Sequence, residues 1–147
     1  MLKQLIKIEN INLDLQAKTK DEVIDEMALL LDTNGYIKNL KKFKKDIYVR
    51  ESEGNTGIGF GVCIPHTKSK YVKECCIGVG VSKSGIKYDA IDGEDVKLVF
   101  MLAIEGTETN LHLKALASLS RKLIDEDFRD KLINATTKKE VYELICG

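Results

Sequence analysis

The chain has 147 residues, 44% apolar and 31% charged, with 23 basic and 23 acidic side chains that cancel. That length fits one domain over residues 1–147 with a core of its own, and the balanced charge argues against a nucleic-acid binder, which carries a basic excess. No charge-free apolar run reaches the roughly 18 residues of a membrane span, and the opening MLKQLIKIENINLDL is charged too often for a secretory leader.

In chain order, residues 11–15 (INLDL) alternate apolar and polar and suit an edge strand. Thr19 and Glu22 read as a capping box ahead of Val23, Met27, Leu30 and Leu31 at helical spacing, with Gly35 as the stop. A second helix is expected over about residues 40–51, burying Leu40, Phe43 and Ile47. Its lysines at 38–45 read as a solvated face, and Arg50 falls at its C-terminal end. Residues 62–65 and 75–82 are short apolar runs rich in β-branched side chains. Ser84-Gly85 and Asp92-Gly93 read as turns around a short strand near Lys87 and Tyr88. Residues 97–104 form the clearest buried strand, apolar on both faces after Lys97. Three helices follow: one opening at Leu111 or His112 with Leu116, Leu119 and Leu123; one around Phe128, Leu132 and Ile133; and one behind a second capping box, Thr137 to Glu140, with Val141, Leu144 and Ile145. The order strand, two helices, several strands, three helices predicts an α/β or α+β fold, a mixed sheet flanked by helices.

Residues 50–67 concentrate the unusual chemistry. They hold Gly57, Gly59 and Gly61, the only proline, Pro65, and one of two histidines, His66. A glycine-rich turn frees backbone amides to face a ligand, and Pro65 fixes its own φ and biases Ile64 to extended geometry. The imidazole of His66 is therefore expected on a rigid bend near groups able to receive an anion. The second histidine, His112, falls in the first turn of its helix, where the dipole favours an anion and a hydrogen bond donated to it. The four cysteines, 63, 75, 76 and 146, make no C-x-x-C pair and read as reduced thiols of a cytoplasmic protein. No P-loop, dinucleotide fingerprint, H-E-x-x-H or G-x-S-x-G occurs.

Arg50-Glu51, Thr56-Gly57-Ile58-Gly59, Ile64-Pro65-His66 and Leu111-His112-Leu113 together resemble the type-2 IIA domains of the sugar phosphotransferase system, the fructose–mannitol class. The likeness runs from the helix at Thr19 to Glu143 and Leu144. It implies the mannitol IIA-like fold. It also implies a phosphocarrier whose His66 accepts a phosphoryl group from phospho-HPr and passes it to a cysteine of a IIB component, with fructose-like sugars as the expected cargo. By the same resemblance Arg50 and His112 line the phosphoryl site and Thr56 is a further contact, with the amides after Gly57 and Gly59 adding donors. HPr and IIB are the implied partners, with the membrane IIC component involved only indirectly. No cofactor or metal is implied. Phe60, Val62 and Tyr71 are candidates for an apolar docking surface. Cys63 stands where the family usually has alanine, Thr67 where it has a small residue, and the habitual proline after the central strand is replaced by Ile104-Glu105-Gly106. Two other readings compete: a regulatory, nitrogen-type IIA protein with the same site, and a metal or thiol protein built on Cys63, His66, Cys75, Cys76 and His112, in which Cys63-x-x-His66 has a permissible ligand spacing but lacks the second such pair that structural zinc sites add to a C-x₂₋₄-C.

Overall fold

The computed structural model describes residues 1–147. Its elements are α1 (Leu2–Leu5), β1 (Ile6–Asn12), α2 (Lys20–Thr33), α3 (Leu40–Glu53), β2 (Gly57–Gly59), β3 (Val62–Cys63), β4 (His66–Ser69), β5 (Cys76–Ile86), β6 (Val96–Glu105), α4 (Leu111–Leu123), α5 (Glu126–Asn134) and α6 (Lys138–Cys146). The six strands form one mixed sheet in the order β1-β5-β6-β3-β2, with β4 also parallel to β6. β5 and β6 are antiparallel, with Ile77 opposite Leu102 and Val81 opposite Leu98.

β6 explains the layering. Residues 98–104 are all fully buried, and successive side chains alternate between two cores. Val99, Met101 and Ala103 face α2 and α3, while Leu98, Phe100, Leu102 and Ile104 face α1, α4, α5 and α6. Both faces of the sheet are therefore covered, giving a helix–sheet–helix sandwich. Each fully buried Leu, Ile or Phe of β6 contributes about 1.5–3 kcal/mol of transfer free energy.

The caps form as the sequence predicts. Thr19 Oγ1 accepts from the amide of Glu22, and Thr137 Oγ1 from that of Glu140. Their partners return the bond one residue further out, Glu22 to the amide of Lys18 and Glu140 to that of Thr136. Gly35, at φ +90°, closes α2.

The strand expected at 11–15 lies earlier, at Ile6–Asn12, with a register shift between Ile6 and Ile11. The turn expected at Ser84-Gly85 instead lies inside β5: the register of β5 on β6 shifts between Val81 and Ile86, Gly85 sits at φ +90°, and its amide donates to Ser82 Oγ. This is a bulge that β5 absorbs without ending.

The segment after α3 decides where the chemistry lies. β3 and β4 are two halves of one line of chain running parallel to β6, broken at Ile64-Pro65. The break follows from the residues, because Pro65 has no amide proton for the ladder. The carbonyl of Pro65 still accepts from Leu102, while the Ile64 amide, pointing away from β6, donates to the carbonyl of Thr56 and so extends the β2–β3 pairing. Past the break β4 pairs only with β6, so it is a free sheet edge. Helix α3 from one face and the start of α4 from the other both reach that edge.

Candidate functional site

An open cleft of about 970 Å³ lies along this edge, lined among others by Asp46, Val49, Arg50, His66, Tyr71 and His112. The last turns of α3 supply Arg50, the first residue of β4 supplies His66, and the first turn of α4 supplies His112. The fold therefore gathers the three side chains that the sequence marked at distant positions.

His66 is half-buried, and its Nδ1 lies 2.7 Å from the carbonyl oxygen of Ile64. A carbonyl only accepts, so Nδ1 carries the proton and donates it, and the lone pair of the neutral ring is on Nε2. Burial is the main reason the imidazole pKa lies below its ordinary value. The Arg50 guanidinium and His112 lower it further, against the opposing pull of the Ile64 carbonyl and Glu51. A depressed pKa means the charged form is disfavoured, so His66 loses its proton at lower pH than a free imidazole. Its titration midpoint, followed by the ring NMR signals, is expected below about 6.5, leaving the ring neutral throughout the range from pH 7 to 8. A midpoint above that value would contradict the geometry.

Arg50 sits one turn from the end of α3, a position the helix dipole favours for a cation. Its Nη1 donates to the carbonyl of Gly54 at 2.9 Å, and no carboxylate lies within ion-pairing distance of it. His112 contributes a ring whose Nδ1 is buried without a hydrogen-bond partner. Asn110 stands at the N-cap of α4 without capping it through its side chain.

Thr56, Gly57 and Gly59 do not line the cleft. The amide and hydroxyl of Thr56 both donate to Glu51, at 3.0 and 2.6 Å, and its side chain is only 3% exposed. The Gly57 amide is taken by Asn55 Oδ1. Gly57 is required by close approach, since a Cβ there would stand 2.8 Å from the Cα of Ala90. Gly59 belongs to the same small hairpin and abuts the Asp92 carboxylate. The glycine-rich turn thus braces the bend and offers no amide cradle at His66. Spacing alone could not distinguish the two uses, because both call for glycine.

Glu51 is the residue whose part the sequence left blank. Burial alone would raise its carboxyl, but hydrogen bonds from Thr56 and Lys20 outweigh this and hold it below the usual carboxylate range. Lys20 Nζ donates to it at 3.1 Å, and the Tyr88 hydroxyl lies 3.1 Å from the other oxygen.

Of the docking candidates, Phe60 is 71% exposed, Val62 is sealed in the core, and Tyr71 lines the cleft with the Lys42 and Lys70 ammoniums over its ring. Exposed Val49 and Leu113, which the sequence did not single out, add apolar surface to the cleft wall. Cys63 packs in the apolar core, its thiol pushed up by burial. Thr67 is buried opposite Ala103, on the sheet face opposite to the one His66 shares with Leu102, and lines the same cleft from the α3 side. No three His, Cys, Asp or Glu side chains converge, so the Cys/His metal reading finds no donor set. No helix is long and apolar enough to cross a membrane.

Residues 4–146 match the family described as "Phosphoenolpyruvate-dependent sugar phosphotransferase system, EIIA 2". The chain is 38% identical over 142 residues to the "PTS system fructose-specific EIIABC component" of Bacillus subtilis (strain 168), covering 97% of this chain but only 22% of that protein. It is 33% identical over 139 residues to the "PTS system fructose-specific EIIA component" of Haloferax volcanii, covering 95% of this chain and 90% of that one. Among solved structures, nitrogen regulatory protein IIA-Ntr from Neisseria meningitidis superposes with a TM-score of 0.89 at 27% identity, covering 97% of each chain. The complex of enzyme IIAMTL and phosphorylated enzyme IIBMTL from Escherichia coli matches with a TM-score of 0.83 at 26% identity, covering 97% of this chain and 99% of that one.

Proposed function

Because the chain belongs to the EIIA 2 family of the phosphoenolpyruvate-dependent sugar phosphotransferase system, we propose that it carries a phosphoryl group on His66, between the HPr protein and a IIB component. The observation that supports this most directly is the hydrogen bond from His66 Nδ1 to the Ile64 carbonyl, which leaves Nε2 as an unprotonated nucleophile in a cleft shared with Arg50 and His112.

The chemistry follows from that arrangement. Nε2 attacks the phosphorus of a phosphohistidine on HPr; a new N–P bond forms on His66 while the donor's N–P bond breaks and its imidazole leaves. The protein's contribution is in-line positioning and charge stabilisation, the two demands of phosphoryl transfer. The arriving group carries roughly −1.5 to −2 charge. Arg50, free of any carboxylate partner, meets it with the planar fork that suits phosphoryl oxygens. His112 and the uncapped start of α4 add donors from the opposite wall. Passage to IIB reverses the geometry: a cysteine thiolate attacks phosphorus, the P–N bond breaks, and His66 is released as the neutral ring. The protein is proposed to work in the cytoplasm, with sugar of the fructose type as the final acceptor, in line with the two fructose-specific relatives.

The direct test is incubation with phosphoenolpyruvate, enzyme I and HPr. One label per chain is expected, acid-labile and alkali-stable as phosphohistidine is; an acid-stable label would overturn the proposal. His112→Ala is expected to keep measurable acceptance but to slow onward transfer to IIB about 10- to 100-fold, the value of one hydrogen bond to a charged group. Transfer unchanged from the parent in both directions would remove His112 from the mechanism.

The similarity to the nitrogen regulatory protein favours a second reading, a phosphorylation-controlled signalling protein with the same site. The two separate on one measurement, whether phosphate on His66 reaches a IIB cysteine.

A further inference from the structure

The His66 ring is held by a chain of hydrogen bonds that begins outside the cleft. Glu51 receives both the amide and the hydroxyl of Thr56, and a Tyr88 hydroxyl and a Lys20 ammonium complete its set. The Thr56 side chain also lies 2.9 Å from the Tyr88 hydroxyl. Fixed in this way, Thr56 presents its carbonyl to the amide of Ile64 at 3.0 Å. The carbonyl of the same residue, in the next peptide unit, takes the proton of His66 Nδ1 at 2.7 Å. One residue, Ile64, therefore joins a buried carboxylate network to the reacting imidazole, through the amide on one side of its Cα and the carbonyl on the other.

We propose that Glu51 and Thr56 are positioning residues for phosphoryl transfer, setting the tautomer and orientation of His66 through the backbone of Ile64.

Several features make this more than a stabilising cluster. The amide and carbonyl of Ile64 point away from β6, because Gly61 and Pro65 are the residues whose carbonyls accept from that strand; the amide extends the antiparallel β2–β3 pairing to Thr56, and since the Thr56 amide goes to Glu51 instead of returning the bond, the Ile64 carbonyl is left for His66. Thr56 is held on both sides, since Asn55 next to it donates to the Asp89 carbonyl and Gly57 lies hard against Ala90 and Tyr88. The network is nearly closed to water, with the Glu51 side chain 6% exposed, so its hydrogen bonds act in a low-dielectric setting where geometry is strictly kept. A neutral imidazole has two tautomers of similar energy, and only an acceptor fixed at Nδ1 keeps the lone pair on Nε2. Loosening Thr56 frees the backbone at Ile64 to shift, carrying its carbonyl with it, and releases that constraint. Arg50 adjoins Glu51 in sequence but holds its own bond to Gly54, so the network bears on the nucleophile more than on the cation.

The proposal rests on His66 being the phosphoryl acceptor, yet its first readout needs no phosphate. Thr56→Val keeps the side-chain volume and the backbone bonds while removing the hydroxyl, and Thr56→Ser restores the hydroxyl. Nitrogen-15 shifts of the two ring nitrogens of His66 report the tautomer in the folded protein. The wild type and Thr56→Ser are expected to show a single Nδ1–H form, and Thr56→Val a mixture. In the HPr assay Thr56→Val is expected to lower kcat about tenfold with KM for phospho-HPr unchanged, and Thr56→Ser to recover most of it. Glu51→Gln, which keeps the shape and weakens both bonds to Thr56, is expected to act in the same direction. Unchanged ring shifts and kcat in Thr56→Val, alongside a lower Tm, would assign the network to stability alone and overturn the proposal. Failure of the wild type to accept phosphate on His66 would refute the functional reading, while the ring shifts would still decide the relay.

Discussion

His66→Ala is expected to bring phosphoryl acceptance from phospho-HPr to background. The imidazole is the only group in the cleft with a lone pair both unprotonated near neutral pH and freed by a partner on its other nitrogen. The carboxylates that share the cleft wall, Asp46 and Glu53, repel the incoming group, and Asp46 is already the acceptor for Ser69 Oγ at 2.6 Å. His112 does not replace the lost ring, because its Nδ1 is buried and unpartnered and so nothing fixes its tautomer. Cys63, three residues before His66, is sealed in the core with its thiol pushed up, so no thiolate is available there. The fold should survive, since His66 is half-buried on a sheet edge and the variant loses one hydrogen bond of about 1 kcal/mol. A Tm within a few degrees of the parent, with no label, is the expected pair of results. Full labelling of the variant would move the site elsewhere and end the proposal.

Much of this site was readable from residue types alone, and the boundary of that reading has physical causes. The two capping boxes and the buried strand β6 are local signals, and both capping boxes formed at the residues that carry them. Pro65 was legible as a bend, but its consequence was not. That the proline splits one line of chain into β3 and β4 depends on β6 lying alongside, and that the Ile64 amide meets Thr56 depends on β2 folding back on β3. Strand β4 escaped notice because its sequence, His-Thr-Lys-Ser, has no apolar period; it buries the small polar Thr67 and Ser69 between α3 and the sheet. Helix α1 has only four residues, too short for a periodic signal. The glycines illustrate the opposite limit. Their need for backbone freedom was clear, but whether that freedom serves a ligand or a neighbouring side chain is a tertiary fact, and here the neighbours are Ala90 and Asp92. Glu51 carries the same lesson. It stands beside Arg50 in sequence, yet on a helix adjacent residues point about 100° apart, so one turns into the core network while the other faces the cleft.

That divergence sets up the second large effect. Arg50→Ala is expected to slow phosphoryl acceptance about 10²- to 10³-fold, the usual loss when one preorganised donor to a developing negative charge is removed. Arg50 has no carboxylate partner to give up. Its neighbour Glu51 is fully occupied by Thr56, Lys20 and Tyr88, and the single bond from Nη1 to the Gly54 carbonyl leaves most of its five donors directed elsewhere. The substitution also removes one of the charges that lower the His66 pKa, so the midpoint of His66 must rise, and acceptance should become more sensitive to acid below pH 7. Arg50→Lys separates the two contributions. It keeps the charge, so the His66 midpoint should stay near that of the parent, but it lacks the planar fork, so the rate should fall between those of the parent and the alanine variant. Stability should change little in either case, because a cation at a helix C-terminus is worth only about 0.3–1 kcal/mol. A parental phosphorylation rate in Arg50→Ala would show that the charge of the phosphoryl group is balanced by the opposite wall, and Arg50 would lose its place in the mechanism.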